Sequence, residues 1–418
     1  MSRGWIIVTV AFVANFVAMG SVLQPIPVLL LPFAEEFGIG RAWAVLPSAA
    51  TLAGGMVIMP FVGRLMATAP IRRMMIAGAL TLSCAFYAMS LATEFWQVLA
   101  LFSLPCGFGL GALGVVATNT LIVNWFEEKR GLALGVAMMG MSLAGVVMLP
   151  LSSWVLEQSS WRGVCRMLAL IDLAVVPLLA MTIVTRPSDI GLRPDGALGE
   201  REEQPVLLED EEDGSIASTR EIVTNPSLWL LAAACGLVFF GSMGIMNNGI
   251  AFAVDRGIDP LRASVIVAAM ALGAGAGKLV FGWLGGRFGE PAAFAIALGL
   301  QIVTLAGYLV FSTYEILLVN SLAYGLGLGG ISPLQVALLA RVVGVRSFAP
   351  AQGLIGPIQI PFQIAGPSLA GFISDTRGSY DLAIVIFIAA MLVSALAMGV
   401  MTLRESRSTA LADEPATA

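Results

Sequence analysis

Two charged side chains lie deep within apolar stretches of the sequence, where either could do chemistry. Lys278 follows three glycines in GAGAGKLVFG, about seven residues, or roughly 10 Å, from the nearer end of its stretch. An ionised lysine at that depth in a membrane costs on the order of 2.5–3.5 kcal/mol, so we expect it to face a cavity, a carboxylate or an anionic ligand. The alternative is a lysine whose side chain extends to the membrane surface.

Asp172, in CRMLALIDLAVVP, is the only carboxylate at comparable depth and is the candidate proton site, because a low dielectric favours the neutral acid. A structural role is the alternative. The chain has no histidine, which removes the commonest proton shuttle, metal ligand and general base. The cysteines, Cys84, Cys106, Cys165 and Cys235, are scattered singly and are interpreted as buried hydrophobic residues. We therefore expect no metal, no cofactor and no enzymatic activity.

The composition predicts an integral membrane protein. Of the 418 residues, 58% are hydrophobic and only 12% are charged, about half the charged share of a soluble domain. Apolar stretches of about 20 residues or more recur along the chain, each long enough to cross a bilayer as a helix. The GLGLGG stretch at Gly325 lacks the strand and the Lys-Ser/Thr pair of a nucleotide-binding loop. Its glycines, like those of GLALGVAMMG at Gly131, suit helices that slide or helices that pack closely.

Twelve membrane spans are predicted, in two sets of six. They cover residues 5–33, 42–66, 71–92, 95–123, 131–154, 163–184, 227–252, 261–285, 291–312, 314–341, 351–374 and 381–403. We divide the chain into an N-terminal half (1–184), a polar, acidic cytoplasmic linker (185–226), a C-terminal half (227–403) and a cytoplasmic tail (404–418).

The positive charges predict the orientation of the spans. The terminal segments and the loops after even-numbered spans hold 15 of the 22 lysines and arginines, and the opposite loops hold six. By the positive-inside rule, both termini and the linker face the cytoplasm. The predicted location is the cytoplasmic (inner) membrane, with the first span retained because no cleavage site follows a short apolar core.

The two halves contain similar sequence, which is typical of transporters. GRLMATAPIRRMMIAGAL at Gly63 matches GWLGGRFGEPAAFAIALG at Gly282 after an offset of 219 residues. With this loop motif, twelve spans and a long central linker, the whole chain resembles the major facilitator superfamily. NWFEEKRGLALGVAMMG, RPSDIGLRPDG and GPSLAGFISDTRGSYDLAI resemble its monocarboxylate-transporter-like branch, including bacterial oxalate/formate exchangers. Ala67 and Gly286 stand where the loop motif usually has an acid, so no cytoplasmic charge latch is expected.

The resemblance implies an all-α membrane protein with twelve transmembrane helices and a central substrate site. Lys278 stands where the branch has an arginine that pairs with the substrate carboxylate. Ala274, one turn earlier, stands where proton-coupled members have an aspartate. Gln359 aligns with a second cation of the oxalate exchangers, at a predicted depth similar to that of Lys278; the alternative is a contact between helices. The resemblance also predicts a substrate contact at Gln24 in the first span.

Other polar residues within spans have two interpretations each. Asn119 in the fourth span and Tyr324 in the tenth can donate hydrogen bonds to a substrate or bridge helices. Asn247 and Asn248, toward the outer end of the seventh span, can gate the outward opening or cap a frayed helix end.

These features predict a secondary active or exchange transporter of a small organic monoanion, a monocarboxylate, that works by alternating access. One alternative is a proton-coupled exporter of drugs or neutral solutes from the same superfamily. Another is a membrane sensor that binds an anion without moving it. The expected partners are a small carboxylate anion, protons if transport is proton-coupled, and the lipid bilayer. We expect a monomer and no nucleic-acid partner.

Overall fold

The computed structural model describes residues 3–39, 43, 46–192 and 219–412, and every regular element in these residues is helical. The first eight helices are α1 (Arg3–Val22), α2 (Ile26–Glu36), α3 (Leu46–Thr68), α4 (Ile71–Met89), α5 (Phe95–Gly109), α6 (Val116–Trp125), α7 (Arg130–Gln158) and α8 (Trp161–Thr182). The next six are α9 (Thr219–Thr224), α10 (Pro226–Asp255), α11 (Pro260–Phe288), α12 (Glu290–Val310), α13 (Tyr314–Arg377) and α14 (Asp381–Ala412). A π-helical segment, Leu110–Val115, joins α5 to α6, and a 3₁₀ turn covers Pro187–Ile190.

Ten helical stretches in the described residues are long and apolar enough to cross a membrane. α4 is outside these ten, because Arg72 and Arg73 in its first turn lower its mean hydropathy. α13 has 64 residues, or about 96 Å, roughly three times the thickness of a hydrocarbon core. It consists of two helices that meet at Gly344, whose φ of 73° and ψ of 164° favour glycine. The predicted all-α, twelve-span membrane fold is confirmed.

Two spans contain interruptions that the hydropathy pattern does not reveal. In the first span, a turn over residues 23–25 separates α1 from α2. Pro25 and Pro27 have no N–H with which to continue the helical hydrogen bonds. In the fourth span, Gly114 in the π-helical segment has φ −96° and ψ −115°, outside the helical region. Breaks of both kinds often occur at functional sites in membrane transporters.

The described residues form two compact units. One is drawn from Met1–Thr219 and Val343–Pro357, and the other from Arg220–Val342 and Ile358–Ala418. In the first unit, α1 packs along α7 and α8, α3 packs on α5, and α4 packs on α8. In the second, α10 and α12 pack on α14, and α11 packs on α12. The boundaries drawn above for the two halves, the linker and the tail stay a prediction.

The cysteines differ in their surroundings. Cys106, Cys165 and Cys235 are buried, as predicted, whereas Cys84 is exposed on α4. The prediction for Cys84 is wrong because its helix turns one face out of the bundle, and an apolar stretch alone does not show which face that is.

Candidate functional site

Lys278 lies on α11, which packs against the first part of α13 with almost no side chain between the two backbones. A Cβ added at Gly273 or Gly277 would overlap the carbonyl oxygen of Leu322 or Leu326. The contact is reciprocal, because a Cβ added at Gly325 or Gly329 would overlap the carbonyl oxygen of Met270 or Ala274. Small residues on both helices thus hold the helix that bears Lys278 at a fixed distance from its neighbour.

The face of α11 that bears Lys278 differs from the face that packs on α13. Lys278 is half-buried. Gly275, almost one turn earlier on the same side of the helix, has no atom within 4 Å of an added Cβ. Lys278 therefore shares a side of α11 with Gly275, where an added Cβ would meet no neighbouring atom. The contact of Lys278 with an anionic ligand stays a prediction.

Gln359 forms a buried amide pair that the sequence did not predict. The Nε2 of Gln335 donates to the Oε1 of Gln359 at 3.2 Å, and the two side chains are 5% and 4% exposed. The Nε2 of Gln359 has no hydrogen-bond partner among the described residues. A buried donor without a partner costs about 1–3 kcal/mol, which an acceptor on a ligand would offset. The only sign of this pair in the sequence was that Gln335 is a polar residue within an apolar span.

The helix contacts also give the level of this pair along α11. Leu322 lies opposite Gly273, Leu326 opposite Gly277 and Leu334 opposite Gly285, so the two helices run parallel. The reciprocal contacts, Met270 at Gly325 and Ala274 at Gly329, shift this register by six residues. On the average of the two registers, Gln335 lies about five residues, or roughly 8 Å, further along than Lys278. Whether Gln359 lies at the level of Lys278 stays a prediction.

Tyr324 is fully buried in a hydrogen-bonded chain. Its hydroxyl donates to the Oγ of Ser242 at 3.2 Å, and that hydroxyl donates to the Oε1 of Gln301 at 3.1 Å. The Tyr324 ring also packs edge-on against Tyr308, with 6.0 Å between centroids. These hydrogen bonds link α13, α10 and α12, so they favour the helix-bridging role of Tyr324. Its contact with a substrate stays a prediction.

Asn247 and Asn248 lie within α10, not at its end. Their Nδ2 atoms donate to the carbonyls of Met243 at 2.9 Å and Gly244 at 3.0 Å, one turn earlier. Asn248 also donates to the carbonyl of Pro367 on α13, at 3.3 Å. Because α10 continues to Asp255, the alternative that these residues cap a frayed end is wrong. Their role in gating stays a prediction.

Gln24 lies in the turn that interrupts the first span. Its side-chain amide packs over Gly145 of α7, where an added Cβ would lie 3.2 Å from the Nε2 of Gln24. Glycine at position 145 therefore provides the space for this amide. A polar side chain at a break in a membrane helix is a frequent arrangement at transporter substrate sites.

A second polar group in the first unit surrounds the π-helical segment. The Thr118 hydroxyl is 3.0 Å from the Oδ1 of Asn15 and 2.8 Å from the carbonyl of Gly114. The Nδ2 of Asn15 donates to the carbonyl of Ala137 at 3.1 Å, which joins three spans. Asn119 is buried next to this group, and its Nδ2 has no partner in the described part of the chain. Asn15 and Thr118 were not predicted.

Asp172 is fully buried in the middle of α8. Neither carboxyl oxygen has a hydrogen-bond partner in residues 3–39, 46–192 or 219–412. The adjacent Ser21 hydroxyl donates instead to the carbonyl of Val17, at 2.8 Å. No hydrogen bond in these residues joins Asp172 to Gln24 or Asn119. The proton-carrying role of Asp172 stays a prediction.

Comparison with known proteins decides the family. The model of the Major Facilitator Superfamily matches residues 8–252 and 236–418. The chain belongs to the Major Facilitator Superfamily. It is therefore a multi-pass membrane transporter rather than an enzyme. The resemblance stated from the sequence motifs is confirmed.

Among curated members of the superfamily, the chain is similar to monocarboxylate transporters. It is 26% identical to human monocarboxylate transporter 11 over 387 residues, which cover 90% of this chain and 78% of that protein. It is 24% identical to rat monocarboxylate transporter 13 over 385 residues, covering 92% and 85%.

Two solved transporter structures show the same fold. A variant of the E. coli fucose:proton symporter FucP matches with a TM-score of 0.70 and 17% identity, over 96% of this chain and 99% of that one. The human organic anion transporter MFSD10 matches with a TM-score of 0.71 and 14% identity, over 94% and 99%.

Proposed function

We propose that this transporter carries a small organic monoanion, a monocarboxylate such as a 2-oxo or 2-hydroxy acid, by alternating access of its two six-helix halves. The observation that carries the proposal is the half-buried Lys278 on a face of α11 that borders open space at Gly275. A carboxylate is the kind of ligand that pairs with a cation at such a depth in a membrane. The names of the similar monocarboxylate transporters support the same substrate class.

The residues assigned to the substrate shell favour a single negative charge. Gln359, Gln24 and Asn119 are neutral amides, so they contribute hydrogen bonds without a second cation. A second carboxylate would enter without a cationic partner, at a cost of several kcal/mol. Tyr324 belongs to this set only if its bond to Ser242 opens during the cycle.

The lysine also suggests how transport is coupled. A bound monoanion neutralises Lys278, so the loaded carrier closes at a lower cost than the empty one, and this favours exchange. Ala274 offers no acid one turn before the lysine. In proton-coupled transport, Asp172 is the group that would carry the proton.

The proposal includes the placement of the chain. Both termini and the linker 185–226 face the cytoplasm, the halves are 1–184 and 227–403, and the membrane is the cytoplasmic (inner) one. The excess of positive charge on the terminal side, 15 residues against six, supports this orientation.

The proposal is tested first by thermal shift and then by transport. A panel of mono- and dicarboxylates is screened for ligands that raise the melting temperature of the purified protein. Counterflow of the best ligand is then measured in proteoliposomes for the native protein, Lys278→Gln and Lys278→Arg. Loss of one charged hydrogen bond, about 1.5–3 kcal/mol, predicts an increase in KM of about 10- to 100-fold for Lys278→Gln. Lys278→Arg retains the charge and keeps most of the affinity.

Three results would contradict this function. Unchanged counterflow in folded Lys278→Gln would favour an exporter of drugs or neutral solutes, in which the lysine is structural. A thermal shift without counterflow in the native protein would favour a sensor. A preference for dicarboxylates would contradict the monoanion.

A further inference from the structure

One arginine in the first unit ties three helix ends together. Arg162, at the start of α8, pairs with the Oε1 of Glu36, the last residue of α2, at 2.8 Å. Its other terminal nitrogen donates to the carbonyl of Ala92, just after α4, at 3.1 Å. The guanidinium also lies 4.3 Å from the ring centroid of Trp161. We call this set of contacts the first clamp.

The second unit has a clamp of the same construction. Arg256, which follows α10, pairs with the Oδ1 of Asp381 at the start of α14, at 3.0 Å. It donates to the carbonyl of Tyr308 near the end of α12, also at 3.0 Å. Its guanidinium lies 3.8 Å from the ring centroid of Phe252. Both clamps therefore consist of an ion pair, a hydrogen bond to a backbone carbonyl and a cation–π contact.

The two clamps occupy equivalent positions in the internal repeat, with the charges exchanged. Position 36 corresponds to 256 and position 162 to 381, at offsets of 220 and 219 residues, close to that of the loop motif. The arginine begins the last span in one half and ends the first span in the other. The aromatic pairs beside the clamps correspond too: Phe33 meets Trp161 at 5.2 Å, and Phe252 meets Tyr380 at 6.1 Å.

The helices that the clamps hold differ in continuity. α10 is an unbroken helix of 30 residues. The corresponding first span is broken between α1 and α2. The N–H groups of residues 23 and 24 donate back to the Met19 carbonyl, and those of residues 28 and 29 donate to the Pro25 carbonyl. These hydrogen bonds stay on either side of the break, so the backbone restrains α2 weakly at this end.

We propose that α2 is a lid, hinged at residues 23–25 and latched by Arg162. Its inner face is buried through Ile26, Leu29 and Phe33, and its far end is held by the first clamp. Opening the latch lets α2 turn about the break and exposes its inner face. The second clamp braces a continuous helix, so opening it frees no lid.

The test measures exposure of the inner face of α2. Leu29→Cys is placed in a Cys84→Ser background, because Leu29 is fully buried and Cys84 is the exposed native cysteine. The rate of maleimide labelling is measured in nanodiscs with and without Arg162→Gln. We expect at least a tenfold increase in rate. Glu36→Gln, which removes only the ion pair, gives a smaller increase. Cys106, which is fully buried in the same unit, stays unlabelled and reports that the bundle remains folded.

The matched control uses the second clamp. Ala253 on α10 is fully buried, so Ala253→Cys is the matching label site. The maleimide labelling rate of Ala253→Cys is expected to change less than twofold when Arg256→Gln is added. A labelling rate at Leu29→Cys that stays unchanged in both Arg162→Gln and Glu36→Gln would overturn the proposal. So would equal increases in the two units, or labelling of Cys106 at the rate of Leu29→Cys, because each shows general loosening rather than a hinged lid.

Discussion

The contact between α11 and α13 predicts opposite effects for two glycines only two residues apart. In Gly277→Ala, the new Cβ would overlap the carbonyl oxygen of Leu326 and lie 2.8 Å from its carbonyl carbon, whereas ordinary contacts are 3.4–4 Å. The obstacle is backbone, so the helices must separate, and overpacking of this kind costs about 1–3 kcal/mol. In Gly275→Ala, the new Cβ meets no atom within 4 Å, and alanine favours a helix by up to about 1 kcal/mol.

The two variants should therefore differ by about 1–4 kcal/mol in stability, which corresponds to roughly 2–16 °C in melting temperature for a unit of this size. The assay is size-exclusion chromatography of detergent-solubilised protein after heating, with the native protein alongside. Gly277→Ala melts below the native protein and Gly275→Ala at or above it. Equal melting temperatures, or a lower one for Gly275→Ala, would refute the assigned helix faces. Counterflow per folded molecule of Gly277→Ala distinguishes two roles of this contact. The counterflow rate stays at the native value if the helices only pack together, and it falls if they slide during transport.

Three further predictions concern single polar residues. Tyr324→Phe lowers the free energy of unfolding by about 1 kcal/mol, because one bond to Ser242 is lost, and leaves KM unchanged in counterflow; a higher KM at native stability would assign Tyr324 to the substrate site. Gln359→Lys adds a second cation and is expected to shift counterflow from lactate toward malonate, and an unchanged preference would place Gln359 outside the substrate shell. Where the native protein shows substrate-driven proton uptake with a pH-sensitive dye, Asp172→Asn is expected to abolish that uptake and to retain exchange, whereas undiminished proton uptake in this variant would exclude Asp172 as the carrier.

The fold follows from sequence because membrane spans are local. Twenty apolar residues must become a helix in a bilayer, whatever the rest of the chain does. Lys278 could be found in the same way, since it is conspicuous as a cation far from the ends of its span. The prolines at 25 and 27 were visible too, but membrane helices tolerate proline, so these residues alone do not separate a kink from a break.

The contacts that depend on register could not be predicted. Gln335 pairs with Gln359 only because the two helices bring residues 24 positions apart to the same level. In the sequence, Arg162 and Arg256 contribute to a count of loop charges, and nothing local indicates the carbonyls of Ala92 and Tyr308 as their partners. Buried hydrogen bonds between spans are a property of packing, which hydropathy and motifs do not encode.

The exchanged charges of the two clamps also affect how the gene can evolve. If recombination between the repeats joined spans 7–9 to spans 4–6, Arg256 would face Arg162. The reciprocal product would place Glu36 against Asp381. Either hybrid half would set like charges against each other where the native halves have ion pairs at about 3 Å. The swapped clamps therefore act against exchange of segments between the duplicated halves and help each half to diverge on its own.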